Sequence, residues 1–197
     1  MADDPQTMHR IAGRLRRLAA GASPLRVAIA GHRWNQLDRI DGERLAALLP
    51  RLFALLDRAA RRRGVLICGM AEGVDLIAAT ACPHQWRLAP VLALPPEAWR
   101  RHLAALHAPS VALFDRAMRD AHSEAPVVVS RDMPDFDAVA ARILADADLL
   151  IAVWNGAPGL PGGTASVVDA ADMAGIPVLV VPVPMIGRCR LIGENAP

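Results

Sequence analysis

Along the chain, short unbroken apolar runs alternate with longer stretches in which apolar residues recur every three or four positions. The unbroken runs are 25–30 (LRVAIA), 64–69 (GVLICG), 88–94 (LAPVLAL), 149–154 (LLIAVW) and 178–182 (VLVVP). Runs of this kind, rich in Val, Ile and Leu, predict strands covered on both faces. Helical spacing fills the intervals. Residues 7–20 set Met8, Ile11, Leu15 and Leu18 among arginines, a basic amphipathic helix. Residues 42–63 carry a stripe of Leu45, Leu48, Leu49, Leu52, Leu55, Leu56 and Ala59, with Asp41 as the expected cap and Pro50 as an expected kink. Further helices are predicted over 76–81, 97–121 (one or two pieces, anchored by Trp99, Leu103, Leu106, Leu113, Phe114 and Met118), 134–145 and 164–174. Residues 126–130 form a short strand or an extended connection.

Strand–helix alternation with short connections and no second core predicts an α/β fold, a doubly wound parallel sheet of about five strands with helices on both faces. Residues 1–24 then form an N-terminal basic helix, 25–183 the single domain, and 184–197 a tail that either packs on the sheet edge or is disordered. The helix at 7–20 is expected to pack on the domain or on a neighbouring molecule.

Composition narrows the classes of function. A hydrophobic fraction of 53% in 197 residues excludes a disordered chain. No apolar run spans a bilayer. The N-terminus, with Asp3 and Asp4 ahead of Arg14, Arg16 and Arg17, lacks the apolar core of a signal peptide, so a cytoplasmic chain with no membrane partner is expected. A net charge of +2, without a basic stripe interleaved with aromatics, counts against nucleic acid as a partner. The chain has no lysine, which excludes a P-loop and Schiff-base chemistry. Cys68, Cys82 and Cys189 have no metal-binding spacing and suit reduced thiols; neither a metal nor a cofactor is expected.

The candidate chemistry lies in the loops that follow the strands. After 149–154, Trp154, Asn155 and Gly156 open a Gly/Pro loop that ends in Gly162, Gly163, Thr164 and Ala165. Two glycines let the backbone come close to a ligand, Thr164 is placed to cap the helix, and the first free N–H groups form a seat for an anion. Alone, the same stretch also reads as a Gly-rich turn ahead of a capped helix. After the first strand come Gly31, His32 and Arg33: an arginine suited to a phosphate and a histidine suited to a ribose or base, or simply a solvated loop. After the second strand Gly69 leads into Glu72, Gly73 and Asp75. Asp75 is read as a ligand contact or a helix cap; Glu72 as an acceptor for a ribose hydroxyl. Open α/β sheets bind ligands where such loops meet, at the carboxyl ends of the strands.

In order, GHR, MAEGVD, ALPPEAW and ADLLIAVWNG…GGTASVV together resemble the SLOG superfamily of Rossmann-like nucleotide-binding domains over residues 25–182. Its relatives include lysine-decarboxylase-like phosphoribohydrolases, a DNA-processing protein and molybdenum-cofactor carriers. The resemblance implies a small-molecule nucleotide derivative as ligand, an ADP-ribose-like signal among the candidates. It assigns Gly162, Gly163 and Thr164 to the phosphate turn, Gly31 and Arg33 to the first loop, and Glu72, Gly73 and Asp75 to the second. The phosphoribohydrolases carry PGGxGTxxE; aligning Gly163 and Thr164 with its GT puts Val167 at the Glu position, where an isopropyl group can move no proton. Asn155 stands where the most similar members have Asp.

Two classes of function follow. One is a binding or sensor module for a nucleotide-derived ligand, including a cyclic nucleotide, acting through partner contacts or as a homo-oligomer with the N-terminal helix as its contact. The other is an N-glycosidic or phosphoribosyl hydrolase with Glu72 or Asp75 as its catalytic carboxylate. A DNA-associated role ranks third on charge.

Overall fold

The computed structural model describes residues 5–21, 24–60, 63–120, 122–159, 161–185 and 189–192. The elements run α1 (Pro5–Gly21), β1 (Arg26–Gly31), α2 (Arg39–Ala60), β2 (Val65–Cys68), α3 (Val74–Ala81), β3 (Arg87–Leu92), α4 (Pro96–His107), α5 (Ser110–Arg119), β4 (Val127–Val128), α6 (Phe136–Leu144), β5 (Leu149–Trp154), α7 (Thr164–Met173), β6 (Val178–Pro182) and β7 (Arg190–Ile192). The strands form one sheet in the order β4-β3-β2-β1-β5-β6-β7. All neighbours pair in parallel except β6 and β7, which are antiparallel.

The chain builds outward from β1 to β4 on one side, then returns to lay β5 against the other side of β1. Such a reversal leaves a crevice between the two strands at their carboxyl ends. Helices α2, α3 and α5 pack together in one layer, and α6 packs on α7 in another. This is the doubly wound α/β fold, Rossmann-like in its topology.

Strands β1, β2, β5 and β6 are buried along almost their whole length, as their unbroken apolar runs require. Each fully buried Leu or Ile in them contributes roughly 1.5–3 kcal/mol. Helix α2 buries Leu45, Leu49, Leu52, Phe53, Leu56 and Ala60, while Leu48, Leu55 and Ala59 are only half-buried, so the stripe is centred one position further round than the leucines suggest. It runs as one helix through Pro50, whose missing N–H falls on the exposed face.

One local expectation needs correction, and two that left alternatives open are decided. Asp41 does not cap α2. The helix starts earlier, and Asp38 accepts the Asp41 backbone N–H at 2.7 Å, while the Asp41 carboxylate accepts the backbone N–H of distant Met185 at 2.9 Å. The tail is not featureless, because β7 extends the sheet edge beyond β6. Helix α1 packs along α2, with Leu15 fully buried and Leu18 half-buried, so that apolar surface is already used within the chain. The side chains of Met8 and Ile11, and Arg61 and Arg62, lie outside the described residues.

Candidate functional site

The loops after β1, β2 and β5 meet at the carboxyl edge of the sheet and enclose a cavity of about 400 Å³. Of the residues expected at a site, Gly31, His32, Arg33, Gly69, Asp75, Trp154, Asn155, Gly162, Gly163, Thr164 and Ala165 line it. Glu72, Gly73 and Gly156 do not. Val167 also lines it, buried at the position that the sequence resemblance aligns with the Glu of the phosphoribohydrolases.

The first two loops are bound tightly to each other. The His32 carbonyl accepts the Val74 N–H at 3.2 Å, and the His32 N–H reaches the Val153 carbonyl at 3.2 Å, so one residue joins three loops. Two glycines make this close approach possible. A Cβ on Gly31 would meet the Val74 side chain at 2.6 Å. On Gly73 it would meet the His32 carbonyl oxygen at 2.5 Å, and φ there is +97°. Gly73 therefore serves as the hinge of the wall rather than as a ligand contact.

His32 is buried, and its Nε2 accepts the Asn155 backbone N–H at 3.1 Å. An accepting Nε2 carries no proton, and burial lowers the pKa of the ring, which fits a neutral imidazole. Instead of waiting for a ribose, His32 ties the β1 loop to the β5 loop. Arg33 is also engaged. Its guanidinium carbon lies 4.6 Å from the centre of the Phe136 ring, and Nη1 is 3.7 Å from Oε1 of Glu72. The other Glu72 oxygen, Oε2, is buried with no hydrogen-bond partner. Glu72 thus stands behind Arg33 as its counter-charge, and the reading of Glu72 as a ribose acceptor gives way to that placement.

Asp75 is not a cap either. Gly73 holds the N-cap position of α3, while the Asp75 carboxylate turns back to accept the Ala71 N–H at 3.3 Å and lines the cavity. Burial pushes its pKa up to about 7, the Ala71 N–H and the Arg33 charge pull it down, and Glu72 adds to the rise. A carboxyl group whose pKa burial raises toward neutrality is the acid of this cavity placed to gain or lose a proton near neutral pH.

On the β5 side the wall is open. Residues 155–159 are exposed, with Trp154 Nε1 donating to the Ala157 carbonyl at 2.9 Å and the Asn155 side chain accepting the Ala157 N–H at 2.9 Å. Thr164 is the first residue of α7 and not its cap. Gly163 takes the cap position, and no side chain satisfies the first N–H groups of the helix. Ser166 Oγ donates back to the Gly163 carbonyl at 2.8 Å and does not cap the first N–H groups of the helix. Gly162, at φ +70°, packs so closely on α6 that a Cβ would meet Phe136 at 2.6 Å.

The apolar side of the cavity comes from residues that were not expected at the site, although ALPPEAW ends in one of them, Trp99. Trp99 of α4 and Phe136, Val139, Ala140 and Ile143 of α6 close it. Trp99 is fixed by donating from Nε1 to the Met70 carbonyl at 3.0 Å, and it meets Phe136 edge-on at 6.2 Å. Met70 itself has φ +55°, a left-handed conformation uncommon for a residue with a side chain. The signal for this side was available only in part: Trp99 and Phe136 stand near helix starts that follow strands, but nothing local says which cavity they face.

No protein-family model matches the chain, and no curated protein does. Among solved structures it is similar to DNA processing protein A from Helicobacter pylori, with a TM-score of 0.54 at 19% identity, over 84% of this chain and 68% of that one. At this identity the likeness concerns the fold, and it agrees with the Rossmann-like topology. Among the described residues no helix is long and apolar enough to cross a membrane. One expectation is overturned. Near-neutral charge counted against nucleic acid as a partner, yet the structural neighbour binds single-stranded DNA. Net charge sums over the whole surface, whereas a strand is held by a local set of phosphate contacts, so the sum excludes nothing of this kind.

Proposed function

We propose that the chain is a nucleotide-binding module, with the phosphate seated at the start of α7 on the N–H groups of Thr164 and Ala165, which no side chain caps, and the base against Trp99 and Phe136. The observation that supports this most is the convergence of an uncapped helix start and an aromatic side on one cavity at the crossover between β1 and β5. A volume of about 400 Å³ suits a ligand of nucleotide size. Arg33 reaches the phosphate as a cation already held in place by Phe136 and Glu72. The module binds without turnover, since Val167 occupies the position of the hydrolytic Glu. As a sensor it passes occupancy on to a partner or a second copy, which light scattering with and without ligand would detect.

The structural neighbour favours a second source of the same chemistry, a nucleotide within single-stranded DNA. The test is a thermal-shift screen of the full chain against mononucleotides, cyclic nucleotides, ADP-ribose and short single-stranded oligonucleotides. A specific ligand at 100 times its Kd adds about 2.7 kcal/mol. Stabilisation by the oligonucleotide alone, with a steep salt dependence, assigns the cleft to a strand. No stabilisation by any of them removes the proposal. Release of free base or ribose 5-phosphate from a bound nucleotide, lost in Asp75→Asn, would instead make the protein a hydrolase using the carboxyl group that sits near neutrality.

A further inference from the structure

At the opposite edge of the sheet, by the amino end of β3, a second group of side chains comes together. His84 lies in the connection between α3 and β3; Asp120 and His122 lie in the connection between α5 and β4. The second connection is anchored by backbone pairing. The Leu88 N–H donates to the His122 carbonyl at 3.1 Å, and the Glu124 N–H donates to the Leu88 carbonyl at 2.7 Å. One nitrogen from each imidazole and one oxygen of Asp120 lie within 4.8 Å of one another. The two rings meet edge-on, 5.5 Å between centres, and Asp120 Oδ1 is 2.5 Å from His122 Nδ1. The other nitrogen of that ring, Nε2, is buried and has no hydrogen-bond partner.

We propose that His84, Asp120 and His122 form a site for a divalent cation of the zinc class, separate from the nucleotide cleft. Two imidazoles and one carboxylate are the donor set that such ions prefer, whereas magnesium and calcium take predominantly oxygen ligands. In a tetrahedral zinc site with bonds near 2.0–2.1 Å, neighbouring ligand atoms lie roughly 3.3 Å apart. His84 is exposed and free to close in, the 2.5 Å Asp120–His122 contact opens by about 0.8 Å as the ion replaces the proton between them, and the His122 backbone is held by its pairing with Leu88. Three protein ligands leave one position for water. Bound there, the ion joins the α3–β3 connection to the α5–β4 connection.

The test uses the tag-free full chain, stripped with chelator and titrated with Zn²⁺ by calorimetry. One ion per chain is expected, with a rise in Tm of about 5–10 °C once zinc exceeds its Kd about 100-fold. His84→Ala keeps the metal-free Tm, because the residue is exposed, and weakens zinc at least about 100-fold, beyond the range of outer-shell changes. Asp120→Asn weakens it in the same direction. Co²⁺ in place of zinc gives a spectrum without a thiolate charge-transfer band. Absence of zinc binding, unchanged affinity in His84→Ala, a thiolate band from a cysteine, or an equal Tm rise with Mg²⁺ would each overturn the assignment.

Discussion

The two walls of the cleft are built on different terms. The wall from β1 and β2 is buried and closed: His32, Glu72 and Asp75 are each less than one-tenth exposed, and the backbones of the two loops touch at Gly73. The wall after β5 is exposed from Asn155 to Gly159, and a Cβ on Gly156 would meet nothing within 4 Å. The first wall holds its charges and its geometry before any ligand arrives. The second offers N–H groups that no side chain caps and room to adjust. In the proposed binding mode, the buried wall fixes the position of the ligand and the exposed wall accommodates it.

Substitutions can break this contrast, and the largest effect is expected at Gly73. Gly73→Ala combines a forbidden φ with a 2.5 Å approach to the His32 carbonyl, and should cost about 3–5 kcal/mol in urea unfolding. A cost near 1 kcal/mol would mean that the closed wall is not closed. Next comes Gly163→Glu on the β5 side, where φ is −86°, a backbone conformation any residue adopts. Affinity for the best nucleotide should fall about 100-fold or more, roughly 2.7 kcal/mol, while stability stays within about 0.5 kcal/mol. Unchanged affinity in calorimetry would place the ligand elsewhere.

Asp75 gives an effect that depends on pH. Its folded pKa is about 7 against 3.8 for the free group, so between these values the folded state keeps a proton that the unfolded state has released. The residue therefore weakens the fold increasingly as pH rises from about 4 to 7. Asp75→Asn should be about 2 kcal/mol more stable than wild type at pH 8, half of the roughly 4 that so large a shift implies, and equal to it near pH 4. His32 works in the opposite direction: its lowered pKa removes stability as pH falls below 6.5. A gain for Asp75→Asn that is the same at both pH values would show that packing and not charge is responsible. The smallest effect is expected at Gly156→Ala, where only the left-handed φ of +82° opposes the new methyl group. About 1 kcal/mol is anticipated, and a cost as large as at Gly73 would erase the difference between the walls.

Much of the architecture was legible in the sequence because its causes are local. The runs 149–154 and 178–182 became β5 and β6 with those bounds, since an unbroken apolar run leaves no alternative to a strand covered on both faces. The Gly/Pro loops fell where strands end, and parallel strands with short connections put those loops on one edge. Thus the meeting of the β1, β2 and β5 loops could be anticipated from order alone. What the residues do there could not. Asp75 became a buried acid near pKa 7 because other elements exclude water from it, and desolvation is not written in MAEGVD. His32 was spent on the Asn155 N–H, and Arg33 on Glu72 and Phe136, because the sheet order set β5 beside β1 and α6 packed across β1 and β3. Trp99 and Phe136 entered the cavity, and His84 met His122, through contacts between segments distant in sequence. Periodicity and turn chemistry are carried by neighbouring residues and can be read from them; burial, pKa and ligand geometry depend on which distant segment arrives to displace water, and only the tertiary structure decides that.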